Sequence, residues 1–470
     1  MATNVVTQRR PSVWQSILEA IRGTQQDFTE GSISRAVLLL ATPMVLEMFM
    51  ESLFAIVDVF WVTRLGSNAI ATVGLTESML TLVFSVAMGV SMSATAMVAR
   101  RIGEKDPRGA ATAAVQAILL GVVLAVLMGV PGFWFAPRLL EWMGAPTDLV
   151  RMGHRYTAIM LGGSVSVMLL FLNNGIFRGS GDASVAMRVL WVSNLINLIL
   201  DPCLIFGLGP FPKLGVTGAA VSTLTGRPFG VLYQLWILTR GHSRIVVRPI
   251  DIRVVPRVIV SLVRVSITGV MQFAIAHTSW IALVRIISTF GSAAVAGYTI
   301  GIRIFIFAIL PSWGLSGAAA TMVGQNLGAH KPERAERAVY LTGFYNMLFL
   351  SVVAAVFIAL PGPIVRLFTS DPTVAPYAVD CLRIIAYGNL AYAYGMVMVQ
   401  AFNGAGDTIT PTIINVFGFW LCEIPLAWVL AYPAGMAVHG VFISIPVSEL
   451  LITLAGLAVF TRGRWKKSRI

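Results

Sequence analysis

The chain has 470 residues, of which 57% are hydrophobic and 12% charged. Soluble domains run at about 45–50% and about 25%, so a water-soluble globular protein is excluded and a polytopic helical membrane protein expected. A net charge of +13 would suggest a nucleic-acid partner in a soluble chain, but in a membrane protein it is first a question of loop topology.

Residues 1–35 carry Arg9, Arg10, Arg22 and Arg35 without the apolar core of a signal peptide. They read as a cytoplasmic N-terminal segment with a short amphipathic helix around Val13–Ile21. Hydrophobic runs bounded by Gly, Pro and charge clusters then place twelve spans at 36–62, 69–99, 109–135, 150–177, 184–208, 215–239, 258–288, 293–323, 335–360, 376–402, 408–432 and 437–461. The first six form an N-terminal lobe, 36–239, and the last six a C-terminal lobe, 258–461. A linker at 240–257 joins the lobes, and a basic tail at 462–470 follows them. The termini and the loops after even-numbered spans hold 23 of the 34 Lys and Arg residues, and the other loops hold 7. The positive-inside rule therefore puts both ends in the cytoplasm of a cell inner (plasma) membrane protein. The partner of this charge is the lipid bilayer rather than nucleic acid.

Charge at mid-bilayer costs at least about 2.5–3.5 kcal/mol per residue, which makes each acid within a span a functional candidate. In the first span, Glu47, Glu51 and Asp58 fall within about 40° of one another around a helix, forming one acidic stripe. The alternatives are pairing with a basic side chain for Glu47 or Glu51 and snorkelling to the interface for Asp58. Pro43 removes a backbone donor near the start of this span and makes a hinge plausible. In the fifth span Asn194, Asn197 and Asp201 share a face, and Pro202 frees the carbonyl of Leu198 beside Asp201. This hard-oxygen cluster suits Na⁺, and the same aspartate can instead carry a proton. The alternative for the asparagines is hydrogen bonding between helices.

A shift of 225 residues aligns Gly66-Ser67 with Gly291-Ser292, Gly89 with Gly314, Gly103 with Gly328 and Gly181-Asp182 with Gly406-Asp407. Between 66–110 and 291–335 there are 12 identities in 45 ungapped positions. Six spans per copy is an even number, so the copies run parallel, related by a pseudo-two-fold along the membrane normal. The expected fold is thus an all-α membrane protein of twelve transmembrane helices in two parallel-repeat six-helix lobes, the plan of alternating-access carriers. Asp58 and Asp201 align with Leu283 and Leu426, which places the coupling chemistry in the N-terminal lobe; His277, Arg285, Arg303, Glu423 and Glu449 are the polar members of the other. The corners at Gly181-Asp182 and Gly406-Asp407 suit left-handed caps followed by Asp-capped helices. No Lys follows a Gly, and neither HExxH nor GxSxG occurs. ATP-driven transport and these hydrolase chemistries are not expected, leaving a secondary carrier that is not an enzyme. Cys203, Cys381 and Cys422 lack metal-ligand spacing. Met48, Trp61, Tyr298 and Tyr392 belong to a set of Met and aromatic side chains that suits an adaptable site for apolar, aromatic or cationic substrates.

Three stretches carry a resemblance to a known family. They are Val57-Asp58-Val59-Phe60-Trp61-Val62-Thr63-Arg64-Leu65-Gly66, Ala99-Arg100-Arg101-Ile102-Gly103 with Asp106-Pro107, and Asn403-Gly404-Ala405-Gly406-Asp407-Thr408-Ile409-Thr410-Pro411. Across nearly all of 33–462 the chain resembles the multidrug and toxic compound extrusion (MATE) transporters. The resemblance implies cation-coupled export of small drug-like or toxic organic molecules by a monomer, with Na⁺ or H⁺ as coupling ion and no other cofactor. It carries the N-lobe cation site onto Asp58, Asn197 and Asp201, with Thr223 as the sixth-span threonine and Pro43 as the proline linked with bending. Asn389 to Tyr394 lacks the tenth-span acid of the NorM-like branch, which favours the DinF-like one, and Glu47 and Glu51 fit neither pattern. A lipid-linked-precursor flippase of the same superfamily and a channel are the rival readings.

Overall fold

The computed structural model describes residues 12–23, 26–241 and 243–468. Arg9, Arg10 and Arg469, counted above with the basic side, lie outside the described residues. The first element, α1 (Val13–Arg22), is the expected amphipathic helix and opens on a capping box. The Ser12 hydroxyl accepts from the Gln15 amide at 3.2 Å, and the Gln15 side chain accepts from the Ser12 amide at 2.9 Å. There follow α2 (Ile33–Thr63), α3 (Ser67–Gly103), α4 (Pro107–Trp142), α5 (Thr147–Gly162), α6 (Ser164–Ser180), α7 (Ala183–Phe206) and α8 (Val216–Arg240). The second half comprises α9 (Pro256–Ser288), α10 (Ser292–Gly328), α11 (Pro332–Ala359), α12 (Pro361–Arg366), α13 (Ala375–Ala386) and α14 (Asn389–Ala405). It ends with α15 (Ile409–Asn415), a π-helical segment (Val416–Glu423), α16 (Ile424–Ala431) and α17 (Ala437–Thr461).

All twelve predicted spans are helical, and nine helices among the described residues are long and apolar enough to cross a membrane. Most helices outrun the predicted spans, although α7 stops at Phe206, two residues short of its own. Hydropathy marks only the hydrocarbon-facing stretch, whereas the backbone stays helical until a cap stops it. Asp106 is such a cap for α4: its side chain accepts from the Gly109 amide at 2.8 Å, and Pro107 follows at the first helical position. Two predicted spans are each a pair of helices. The run 150–177 breaks at Gly163 between α5 and α6, and 376–402 breaks at Tyr387–Gly388 between α13 and α14. Gly163 and Gly388 are themselves 225 residues apart, and the Leu224 and Pro446 side chains occupy the space where their own side chains would lie. The helix α2 continues through Pro43 without a break.

The duplication seen in sequence is a duplication of geometry. Both α3 and α10 have 37 residues. Gly66 and Gly291 precede them at φ 93° and 108°, Lys105 and His330 turn the next corner at φ 58° and 57°, and Gly181 and Gly406 cap at 92° and 81°. Contacts between the halves obey the same operation. A Cβ on Gly103 would strike the Gln325 carbonyl, and one on Gly328 the Arg100 carbonyl, so α3 and α10 cross backbone to backbone. Further along, Gly89 packs against Ser266 and Val270 of α9, and Gly314 against Met44 and Val45 of α2. The two corner aspartates diverge. Asp407 accepts from the Thr410 amide at 3.1 Å as a cap, but Asp182 makes no cap bond and instead holds the linker through the Ser243 hydroxyl at 2.7 Å and the Arg244 amide at 3.2 Å. Only the first copy has an interlobe linker to anchor.

Among the described residues, hydrogen bonds joining the two halves lie between the middle of the bundle and the basic face. The Ser52 hydroxyl donates to the Phe307 carbonyl at 2.8 Å, Ser93 meets Ser266 at 2.8 Å, Thr321 donates to the Arg178 carbonyl at 3.0 Å and Gln325 to the Gly179 carbonyl at 2.9 Å. Residues 26–31 form a strap across this face. Arg334 donates to the carbonyls of Phe28, Glu30 and Gly31, Lys331 to that of Thr29, and Arg244 of the linker lies over the buried Phe28 ring. Within the strap Asp27 accepts from the Thr29 amide at 2.8 Å and hydroxyl at 2.6 Å. Burial alone would push this carboxyl up, but these hydrogen bonds, with Arg244 and Lys105 nearby, leave it below the ordinary carboxylate range.

Two outcomes follow from this geometry. Gly328→Val wedges α10 off α3 and destabilises the solubilised protein by about 1–3 kcal/mol, the usual range for overpacking, read as a lower unfolding temperature. Because the folded Asp27 pKa is depressed, its contribution is complete above the unfolded value and is lost as pH falls through the lowered one. The protection factors of residues 26–31, taken against the intrinsic exchange rate at each pH, therefore hold down to about pH 4, the ordinary aspartate value, and fall only below it.

Candidate functional site

Glycine spacing sets how close the polar helices come. Gly218, Gly226 and Gly230 recur at helical spacing on α8, where a Cβ would meet the Leu204 carbonyl, the Ser193 carbonyl and the Ser193 hydroxyl of α7. The two helices therefore pack closely enough for short side chains to meet. The Asn197 amide bridges them. In the orientation that satisfies both partners, its nitrogen donates to the Asp201 carboxylate at 2.5 and 3.1 Å, and its oxygen accepts from the Thr223 hydroxyl at 2.9 Å and amide at 3.2 Å. Ser222 donates to the Asn197 carbonyl at 3.1 Å and also serves Asp201. From α2, Asp58 lies within electrostatic reach of Asp201, and Glu51 accepts from the Asn194 side chain at 3.1 Å. The structure thus brings Glu51, Asp58, Asn194, Asn197, Asp201 and Thr223 into one cluster of the N-terminal half.

Glu47 stands apart from this group. Fully buried, it pairs with Arg178 of α6 and accepts from Asn174 at 3.0 Å, and Asn174 in turn accepts from Gln234 of α8 at 2.6 Å. Arg178, counted from sequence with the basic-side loop, folds back along α6 to reach it. The stripe of three acids on α2 is therefore divided between an ion pair toward the basic face and a cluster toward the opposite end.

Sequence reasoning passed over Arg227, Tyr156 and Glu77. The Arg227 guanidinium faces Glu51, Asp58 and Tyr156, and its Nη1 is buried without a hydrogen-bond partner. Glu77 of α3 lies near Asp58 on one side and Arg303 of α10 on the other. A signal for Arg227 was present: it lies at the centre of the predicted span 215–239, and such a charge is expensive there. The C-terminal half also has buried acid. Glu423 closes the π-helical segment and accepts from Ser279 at 2.5 Å, with Glu449 near both Glu423 and Tyr392.

The four side chains suggested for substrate do not converge. Trp61 packs on Phe206 within the N-terminal half, and Tyr298 is buried in the other half, stacked on Phe442. Met48 on α2 and Tyr392 on α14, beside Phe305, are half-buried.

Chemically, the part of this cluster around Asp58 and Asp201 offers two carboxylates, an amide oxygen and hydroxyls to a small cation or a proton. Among the described residues no group of three or more His, Cys, Asp or Glu side chains could hold a metal ion, so a cation here would rely on oxygens from the amide and hydroxyl groups as well. Two carboxylates in one low-dielectric pocket repel each other, and the neighbouring guanidinium offsets part of that repulsion.

With this geometry in hand, the chain compares directly with known proteins. The MatE family model matches residues 43–203 and 270–429. A probable multidrug resistance protein NorM of Thermotoga maritima is 25% identical over 443 residues, covering 93% of this chain and 94% of the relative. An FAD transporter of Shewanella oneidensis is 26% identical over 425 residues, covering 90% and 93%. The crystal structure of a MATE protein in complex with MaL6 superposes with a TM-score of 0.88 at 24% identity, covering 96% of this chain and 98% of that one.

The Glu47 pair can be separated from the pocket by stability. Glu47→Ala leaves a mostly buried guanidinium uncompensated and costs about 3 kcal/mol, the low end for breaking such pairs because the Arg178 side chain is 22% exposed. In thermal unfolding, adding Arg178→Leu to Glu47→Ala recovers most of the loss.

Proposed function

The chain belongs to the MatE family of multi-pass multidrug efflux transporters, and from that membership we propose that it is a secondary active antiporter. It exports drug-like or toxic organic compounds in exchange for Na⁺ or H⁺. The observation that carries this reading is the cluster in which Asn197 joins Asp201 to Thr223 with Asp58 opposite, set in one half of a bundle whose halves meet at the basic face. A cation or proton entering this cluster relieves the repulsion between the carboxylates and changes how α2, α7 and α8 pack. That differential binding biases the two access states. The basic face is cytoplasmic by the positive-inside rule, with both termini there, in the cell inner membrane. The coupling set in the first half and the uncharged stretch Asn389 to Tyr394 support the DinF-like branch, and the working unit is the monomer.

Arg227 favours a second reading of the substrate range. A buried guanidinium with one nitrogen left without a hydrogen-bond partner suits an anionic group, and the Shewanella oneidensis relative is an FAD transporter. Organic anions therefore join the candidates.

Proteoliposomes loaded with a fluorescent organic substrate, under an imposed Na⁺ or pH gradient, test the proposal. A coupling free energy of about 1–3 kcal/mol corresponds to about 5–150-fold stimulation by the driving ion. Asp58→Asn and Asp201→Asn are expected to remove that stimulation while leaving the protein folded. Wild-type stimulation in both variants would overturn the site.

A further inference from the structure

A cavity of 680 Å³ lies outside the candidate pocket, on the flank of the N-terminal half, where α1, α2, α7 and α8 meet. Its walls are apolar, with Ile21, Leu46, Met187, Val192 and Phe229 among them, and Arg188 is the one charged residue that lines it. Val192 is 52% and Phe229 64% exposed, so the cavity opens sideways toward lipid rather than into the bundle.

Its depth is readable from the helices. At about 1.5 Å per residue, Arg188 sits about 8 Å above the start of α7 on the basic face, Val192 about 6 Å deeper, and Phe229 about 17 Å from the end of α8 on the same face. The charge is at headgroup depth, with apolar surface beneath it. Among the described residues the Arg188 guanidinium bonds only within its own helix, to the Ser184 carbonyl at 3.2 Å and hydroxyl at 3.4 Å. Among the described residues no carboxylate pairs with it. The exposed Arg22 and Arg240 close α1 and α8 at the same face.

The neighbouring helix marks the same level. On α1, Trp14 and Leu18 are exposed at 68% and 40% and align with Ile21 at the cavity, while Ser16 and Ala20 are buried. A short helix with an outward apolar stripe and a basic end rests in the interfacial layer of a bilayer.

We propose that this cavity holds an acyl chain of an anionic phospholipid from the leaflet at the basic face, with Arg188 binding the phosphate-bearing headgroup. Apolar walls below a single unpaired guanidinium match that molecule in both polarity and direction. The chain would lie beside the Trp191 indole, which donates to the Leu46 carbonyl at 3.0 Å, and so would brace α7 against α2 one residue from Glu47. This site is independent of the coupling pocket and of the transported compound.

The test uses the full chain in nanodiscs of mixed phosphatidylglycerol and phosphatidylcholine, with native mass spectrometry reading the lipids retained on release. Wild type is expected to retain phosphatidylglycerol preferentially. Arg188→Gln should lower that preference about five-fold, the effect of one basic residue at an anionic surface, and Val192→Trp, which fills the open side of the cavity, should lower the number of lipids retained. Equal retention of the two lipids by wild type, an unchanged preference in Arg188→Gln, or a wild-type lipid count in Val192→Trp would overturn it.

Discussion

A carboxylate carried into a bilayer has to bring its own solvent, and this constraint organises the interior of the protein. Water is replaced there by a fixed set of partners: Arg178 and Asn174 for Glu47, Asn194 for Glu51, Asn197 and Ser222 for Asp201, Ser279 for Glu423. All of these but Asn197, which shares α7 with Asp201, arrive from a different helix, so the helices must approach closely enough for short side chains to meet. Glycine provides that approach between α7 and α8, where Gly218, Gly226 and Gly230 face the backbone and side chains of the other helix. Polarity of the interior and tightness of packing are therefore one requirement.

The same use of glycine builds the frame. The paired crossing at Gly103 and Gly328, repeated in kind at Gly89 and Gly314, joins the halves by backbone contact rather than by interlocking large side chains. Such contacts are stiff where they occur, and they occur between the middle of the bundle and the basic face. There the strap of residues 26–31 adds hydrogen bonds from Lys331 and Arg334. The frame is symmetric, but its contents are not. Where the first half carries Asp58 and Asp201, the second has Leu283 and Leu426, and it gathers its own acids at Glu423 and Glu449, beside a stretch of π-helix. Duplication conserved the backbone turns and the glycines they need, leaving side chains in the polar interior free to diverge.

Much of this architecture could be read from the sequence, because the physics behind it is local. Apolar runs give spans, positive φ selects glycine at the corners, and basic loops gather on one side. The twelve spans, the 225-residue register and the caps at Gly181 and Gly406 all follow from such rules. The shared face of Asn194, Asn197 and Asp201 is equally local, as it depends only on the helical period. The breaks at Gly163 and Gly388 were not legible, since nothing in the hydropathy of 150–177 or 376–402 distinguishes one helix from two. Leu224 and Pro446, distant in sequence, occupy the space beside those glycines.

What the sequence determined by itself, then, is the membrane-spanning plan, its duplication and the identity of the scarce acids, because each depends on composition or on the period of one helix. What only the tertiary structure decided is which partner each acid has. The stripe of Glu47, Glu51 and Asp58 looks uniform along α2, yet Arg178 claims its first member and Arg227 faces the other two. Electrostatic partnership in a low-dielectric interior falls off over a few ångströms, and those distances are set by how helices far apart in sequence come to pack.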